Sequence, residues 1–414
     1  MVRISSWCWV RLISVLLIGL SIVAGCQPSS RQIPNRQPFA CEHSQNEIPQ
    51  NVPSGVTLSG PLAPDPGLRT PRNVLALSSG GLYGAYSAGF LSGWTKTGTR
   101  PEFDVVTGVS TGALAAPFAF LGPEFDERLQ QLYTGVRAED VFRIRAWFTI
   151  PFKDAVASSA PLVGLIDSQI NQELMNRLAA EHRKGRRLYI GTTNLDTRRL
   201  VIWDMGAIAS LPSPSGCRLF RDVIVASCSV PGMLPPVMFN IEVDGLQYTE
   251  MHVDGGVSSQ IFVPSQVFRA AAMELPTGSP VLPGSTGNLY AVVAGKLYPD
   301  VSAVRRKVLP ILGATTQSLM YAHCRSELMS LYGQAHLSGM QYHLSALSQD
   351  VAVNAETLIS IDQNEMTKLC LEGAKDGLAG PAWRYAPPDI CPGDGDFLRG
   401  GLRLRSTGPA ANGR

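Results

Sequence analysis

The sequence has little charge and no marked excess of either sign. Of 414 residues, 16% are charged, and Lys+Arg 35 against Asp+Glu 33 leaves a net charge of +2. That balance excludes a nucleic-acid binder working by bulk electrostatics. Low charge beside 45% hydrophobic residues excludes a disordered, strongly solvated chain and supplies a large core. Gly 40 and Pro 30 follow no period, which excludes collagen-like and low-complexity chains. No internal repeat is present. H-E-x-x-H, Cys/His ligand spacing and an acidic calcium loop are all missing, so no metal is implied. G-x-x-x-x-G-K-[ST] is missing too, and no cofactor is implied. Length alone admits two or three domains of about 150 residues, although α/β layers often run longer as one unit.

A long apolar run is also lacking. Leu12–Val23 falls short of the roughly 20 residues that span a bilayer. Preceded by Arg3 and Arg11 and followed by Val23-Ala24-Gly25-Cys26, it predicts a secretory signal over residues 1–26. The exit resembles a bacterial lipobox, with Val in place of the commoner Leu, which implies that Cys26 is acylated and becomes the mature terminus. The expected location is the cell envelope, membrane-anchored, and the outer membrane where the source has two. Loss of Arg3 and Arg11 lowers the net charge from +2 to 0, so anchoring would rest on acyl chains rather than bulk charge. Residues 27–70 are rich in Pro, Ser, Gln and Asn and predict an extended tether. The folded part is expected over 71–390, with a flexible tail at 391–414. Six further cysteines follow Cys26; Cys228 lies in an apolar run and is expected as a buried thiol, and Cys370 and Cys391 flank a Gly/Pro-rich stretch that they could close. Six cysteines allow fifteen pairings, and the sequence selects none.

Patterning predicts strands at Asn73–Leu77, Phe103–Thr107, Arg187–Thr193, Arg199–Asp204 and Asn288–Ala294, and a hairpin of Val237–Val243 with Leu246–Val253 around Asp244-Gly245. Helices are predicted at Gly84–Lys96, Thr111–Leu121, Asp167–Arg183 capped by Asp167 or Ser168, Arg218–Ser227, Ser302–Tyr332 and Asp362–Lys375. Strands alternating with helices predict a layered α/β fold with a central, mostly parallel sheet flanked by helices.

Two glycine-rich junctions carry chemistry. Gly108-Val109-Ser110-Thr111-Gly112 stands between a predicted strand and a predicted helix, the setting of a G-x-S-x-G nucleophile elbow. Upstream, Ser78-Ser79-Gly80-Gly81-Leu82-Tyr83-Gly84 also follows a strand and opens a helix. Its glycines let backbone N–H groups converge on an anion. Without a P-loop signature, an oxyanion hole fits better than a phosphate loop. A nucleophilic serine needs a base. His323, His336 and His343 lie late enough for an α/β-hydrolase order, while Asp254-Gly255-Gly256 ends a strand, where active-site residues of α/β layers gather. His252 precedes Asp254 by two residues and shares its side of the strand; it suits a supporting group or a cross-strand surface histidine.

Together these motifs resemble the patatin-like phospholipase family, over about residues 73–265. The family combines a glycine-rich oxyanion loop, a G-x-S-x-G elbow and an Asp-Gly-Gly/Ala, and works through a Ser–Asp dyad without histidine. The resemblance implies Ser110 as nucleophile and Asp254 as base. It implies Gly80, Gly81 and Gly84, joined by the Thr111 N–H, as the oxyanion hole, and a lipid or phospholipid as substrate. Ala226-Ser227-Cys228-Ser229-Val230-Pro231-Gly232 also resembles the family's run before its last strands. The loop departs from the family's D-G-G-G-x-[KR]-G: Ser78 and Ser79 replace the first Asp and Gly, and Tyr83 replaces the cation. The rival readings are an α/β-hydrolase esterase with a late histidine and a non-catalytic lipid-binding surface lipoprotein. Val141–Phe152 (VFRIRAWFTIPF) mixes aromatic and basic residues. It suits either a bilayer interface or a lid or core segment whose rings pack inward.

Overall fold

Val74–Leu77 is a short run of apolar residues, all buried, and it lies in the middle one of the sheet's five parallel strands. The computed structural model describes residues 68–243, 246–276, 281–353, 362–380, 383–388 and 390. Cys26, Cys41, Cys391, the expected signal, nearly all of the expected tether, the expected tail and the Asp244-Gly245 turn lie outside these residues. The principal elements, apart from 3-10 turns and the short helices Ala138–Val141 and Met205–Ala209, are β1 (Asn73–Leu77), α1 (Gly84–Lys96), β2 (Val105–Val109), α2 (Thr111–Leu121), α3 (Asp126–Thr134), α4 (Ala160–Gln169), α5 (Gln172–Arg183), β3 (Arg187–Asn194), β4 (Arg199–Asp204), α6 (Ser215–Ser227), β5 (Val237–Val243), β6 (Leu246–Asp254), α7 (Ser265–Ala272), β7 (Gly287–Val293), α8 (Val308–Leu337), β8 (Met340–Ala346) and α9 (Gln363–Leu378). A separate two-residue ribbon pairs Arg143–Ile144 with Ala157–Ser158.

The sheet is eight-stranded, in the order β8-β7-β1-β2-β3-β6-β5, with β4 also paired to β3. The five strands from β8 to β3 run parallel; β4 and β6 pair antiparallel with β3, and β5 with β6. Side chains of a strand alternate between faces. Leu75, Leu77, Val106, Leu188, Ile190 and Val292 accordingly enter one apolar layer with α1, α2 and α6. Val74, Ala76, Val105, Tyr189, Leu289 and Ala291 enter the opposite layer with α7 and the C-terminal half of α8. Both faces of the parallel strands are thus covered, as an unbroken apolar run requires.

Several expected boundaries move. The strand expected at Phe103–Thr107 begins at Val105 and runs to Val109, after a bend at Asp104 whose carboxylate accepts the N–H groups of Arg72 and Asn73 at 2.7 and 2.9 Å. The helix expected at Asp167–Arg183 is two helices. Ile170 is extended, and Asn171, not Asp167 or Ser168, caps α5 through the Leu174 N–H at 2.9 Å. The helix expected from Ser302 starts at Val308, after Arg305-Arg306-Lys307, and runs on to Leu337. Cys217, Cys228, Cys324 and Cys370 are free thiols.

The elements after residue 300 are integral to this fold. β8 extends the sheet through β7, and α9 packs on α1 with the backbones in contact. A Cβ at Gly89 or Gly93 would strike the carbonyls of Cys370 or Ala374, and one at Gly373 or Gly377 those of Tyr86 or Phe90. Two glycines spaced by four on each helix make this approach possible.

Candidate active site

Ser110 stands between β2 and α2 at φ 53°, ψ −121°. Among the described residues only Arg198 shares a positive φ without being glycine. Such a conformation is strained and persists only where neighbours hold it. Both flanking glycines are required sterically. A Cβ on Gly108 would collide with the Gly112 carbonyl, and one on Gly112 would lie 2.5 Å from the Leu77 carbonyl. The elbow is also held by hydrogen bonds. Ser110 N–H donates to Ser227 Oγ at 2.9 Å, and Ser227 Oγ donates to the Gly191 carbonyl at 2.7 Å. Cys228 Sγ donates to the Ser110 carbonyl at 3.2 Å.

Asp254 closes β6. β3 pairs Gly191 with Val109 on one side and Thr192 with Asp254 on the other. Ser110 and Asp254 therefore leave the two strands that flank β3, at the same end of the sheet. Ser110 Oγ donates to Asp254 Oδ2 at 2.6 Å, and Gly256 N–H donates to Oδ1 at 2.7 Å. Asp254 N–H donates to the Ser229 carbonyl at 2.9 Å. Both side chains are buried. Burial pushes the Asp254 carboxyl up to about 6, against the opposing pull of the hydrogen bonds from Ser110 and Gly256. A carboxylate of that basicity suits proton abstraction near neutral pH.

The glycine-rich turn lies against the same end of the sheet. Gly80 fits because a Cβ there would strike the Ala294 carbonyl, and Gly84 because a Cβ would strike Thr111 Oγ1. Gly81 has φ 56°, where glycine carries no Cβ penalty. The first N–H groups of the 3-10 turn at Gly81–Tyr83 and of α2 lack intrahelical acceptors. The two serines that depart from the family pattern fasten this turn. Ser78 Oγ accepts the Ala294 N–H at 2.8 Å and donates to the Ser79 carbonyl at 2.7 Å. Ser79 Oγ donates to Gln260 Oε1. Gln260 Nε2 in turn donates to the Gly256 carbonyl at 2.5 Å, and Glu327 Oε2 accepts the Gln260 N–H at 2.8 Å.

The histidines lie elsewhere. His252 is fully buried, which corrects the surface reading. Its Nδ1 is 2.9 Å from Thr192 Oγ1 and its Nε2 3.1 Å from Glu250 Oε2, with Trp203 and Phe239 against the ring. His323 pairs with Glu327, His336 stacks on Tyr332, and His343 Nε2 is 3.0 Å from Asn288 Oδ1. None of them bonds to Ser110 among the described residues. No group of three His, Cys, Asp or Glu among those residues is placed to hold a metal ion.

Ser227, Cys228, Ser229, Gln260 and Glu327 went unread as site-forming residues. The stretch from Ala226 to Gly232 was visible only as a family-like run; nothing in its composition says that it clasps the elbow. Small polar residues at a helix end read as an ordinary terminus until the chain folds over them.

Residues 75–265 match the family model described as Patatin: Patatin-like phospholipase. This segment is a patatin-like phospholipase domain. A domain of this family supports lipid hydrolase activity. Among solved structures, VipD from Legionella pneumophila is similar at 13% identity and a TM-score of 0.31, over 75% of this chain and 67% of its own. The type III effector protein ExoU is similar at 10% identity and a TM-score of 0.28, over 75% of this chain and 53% of its own. This chain thus spans about half the length of ExoU. No curated protein matches. β7, α8, β8 and α9 lie beyond the matched patatin-like segment.

Proposed function

We propose that the chain hydrolyses a lipid acyl ester through a Ser110–Asp254 dyad. The observation that carries this is the 2.6 Å hydrogen bond from a strained Ser110 to Asp254 inside a patatin-like domain. Asp254 takes the hydroxyl proton as Ser110 Oγ bonds to the ester carbonyl carbon. The carbonyl oxygen gains the negative charge and is met by N–H groups of Gly80, Gly81 and Thr111, with Gly84 allowing the two turns to approach. One such donor is worth roughly 3–4 kcal/mol in hydrolases. The C–O bond to the alcohol breaks, the alcohol leaves with the proton from Asp254, and an acyl-Ser110 ester remains. Water attacks that ester, gives its proton to Asp254, and releases the fatty acid as Ser110 regains its hydroxyl. A carboxylate is a weak base for serine, and the buried setting of Asp254 compensates by raising its basicity.

The test is hydrolysis of a panel of phospholipids, lysophospholipids and short p-nitrophenyl esters, with Ser110→Ala as control and fluorophosphonate labelling of Ser110. A folded chain that neither labels nor hydrolyses any of them returns the non-catalytic lipid-binding alternative. We also propose that Cys26 is acylated and holds the chain at the cell envelope. Labelling with a palmitate analogue should mark the wild type and not Cys26→Ser.

A further inference from the structure

The N-terminal half of α8 is exposed and apolar. Val308 is 72% exposed, Leu309 80%, Leu312 56% and Leu319 66%. At 3.6 residues per turn, Val308, Leu312 and Leu319 share one face of the helix, with Leu309 and Met320 beside it. The residues that seat α8 on the body, Leu328, Leu331 and Ala335, fall on nearly the opposite side. The apolar stripe of the first half is therefore turned away from the protein's own core. The sequence that leads into it and forms it carries charge of one sign. Arg305, Arg306 and Lys307 immediately precede the helix, and no acidic residue occurs from Val301 to Ser326. None of the three cations has an ion-pair partner among the described residues. The N-terminal end of the helix adds the positive end of its dipole.

The other half of α8 touches the candidate site. Glu327 accepts the N–H groups of Gln260 and Ile261 at 2.8 and 3.3 Å, and Gln260 bridges Ser79 and Gly256. The exposed stripe and the Ser110–Asp254 pair are thus joined by one continuous helix. No helix among the described residues is long and apolar enough to cross a membrane, so insertion across a bilayer is not what the stripe is built for. A helix with one apolar face and a cationic end instead matches the boundary between acyl chains and anionic head groups.

We propose that Val308–Met320, led by Arg305-Arg306-Lys307, is an element that seats the folded body of this chain on an anionic lipid surface. The apolar stripe lies among the acyl chains and the three cations lie at the phosphates. The choice of a lipid as occupant rests on the lipid-hydrolase function proposed above; the binding itself does not require catalysis.

The test uses the full chain carrying Cys26→Ser and Ser110→Ala, so that neither acylation nor turnover intervenes. It is mixed with phosphatidylcholine vesicles with and without phosphatidylglycerol. Replacing Arg305, Arg306 and Lys307 together by Gln should weaken binding to the anionic vesicles by about tenfold or more, and that difference should shrink at high salt. Leu309→Glu with Leu312→Glu should weaken binding to both vesicle types. Leu312→Trp should add emission that brominated acyl chains quench, which locates this turn in the bilayer whatever other segment binds. All substituted side chains are exposed, and circular dichroism should be unchanged. Unaltered vesicle binding in both multiple variants, or unquenched Leu312→Trp emission, overturns the proposal. So does self-association that the Leu309→Glu, Leu312→Glu pair abolishes while vesicle binding stays intact, because the stripe is then covered by a second copy. If the unsubstituted chain hydrolyses no ester yet the variants lose vesicle binding, the proposed function fails and this proposal stands.

Discussion

Ser110 Oγ lies 2.6 Å from Asp254 Oδ2, and the other carboxylate oxygen is held by the Gly256 N–H at 2.7 Å. Both oxygens of Asp254 are thus occupied, one by the group it would deprotonate and one by a backbone donor that fixes its direction. Ser110→Ala and Asp254→Asn should each lower kcat by at least about a thousandfold, the scale on which members of such catalytic units act. Steady-state hydrolysis by the two purified, folded variants measures this. Retention of a tenth of wild-type activity in either would remove the dyad.

The same carboxylate sets a pH limb. Asp254 must be ionised to take a proton, and its pKa is pushed up to about 6, chiefly by burial. kcat/KM for a soluble short-chain ester should therefore rise with pH through about 6 and level off above it. A flat profile between pH 5 and pH 7 at constant fold would assign the base elsewhere.

Stability should move the opposite way. The folded chain holds a proton on Asp254 up to about pH 6, whereas an unfolded Asp releases it near 4. Between those values the native state binds more protons, so stability falls as pH rises, and above about 6 the ionised carboxylate burdens the fold by on the order of 3 kcal/mol. Asp254→Asn removes that burden. Its melting temperature should exceed that of the wild type at pH 8 and approach it near pH 4. An equal difference at both pH values would contradict the assignment.

Ser227 is fully buried and holds the elbow through the Ser110 N–H. Ser227→Ala removes the acceptor of the Ser110 N–H and leaves the Gly191 carbonyl without that donor. The loss of buried partners should destabilise by about 1–3 kcal/mol. Because the strained Ser110 backbone loses its restraint, kcat should fall more than KM rises. A purely structural role would lower the melting temperature and leave kcat per folded molecule unchanged.

Phe148 and Phe152, which are 62% and 70% exposed, decide between the two readings of Val141–Phe152. The inward-packing reading fails for these rings and for Ile144, also exposed, while Phe142 settles against the core; the Trp147 side chain lies outside the described residues. Phe148→Ala with Phe152→Ala should leave the melting temperature within about 2 °C, as surface substitutions do. It should reduce hydrolysis of vesicle lipid and spare that of a soluble ester. A parallel fall in both activities would exclude an interfacial role for the segment.

What the sequence determined by itself was local. Ser110 was legible because a serine flanked by glycines at a strand-to-helix junction marks a backbone turn that few other residue patterns permit. The bounds of β1, α1, α2, β4 and β5 followed from apolar period and glycine punctuation. Asp254 was legible as a strand end followed by two glycines. Only the tertiary structure decided that these two residues meet, because β3 pairs with β2 on one side and β6 on the other, and no local pattern encodes strand order. The surface reading of His252 fails because alternation along a strand reports which residues share a face, not whether Trp203 and Phe239 cover it. Ser227 and Gln260 are ordinary polar residues until other elements pack around them. The stripe on α8 was apolar in the sequence, but which way it faced depended on Leu328, Leu331 and Ala335 anchoring the far end of the same helix. Periodicity fixes the separation of two faces along a helix; packing alone chooses which of them meets the core.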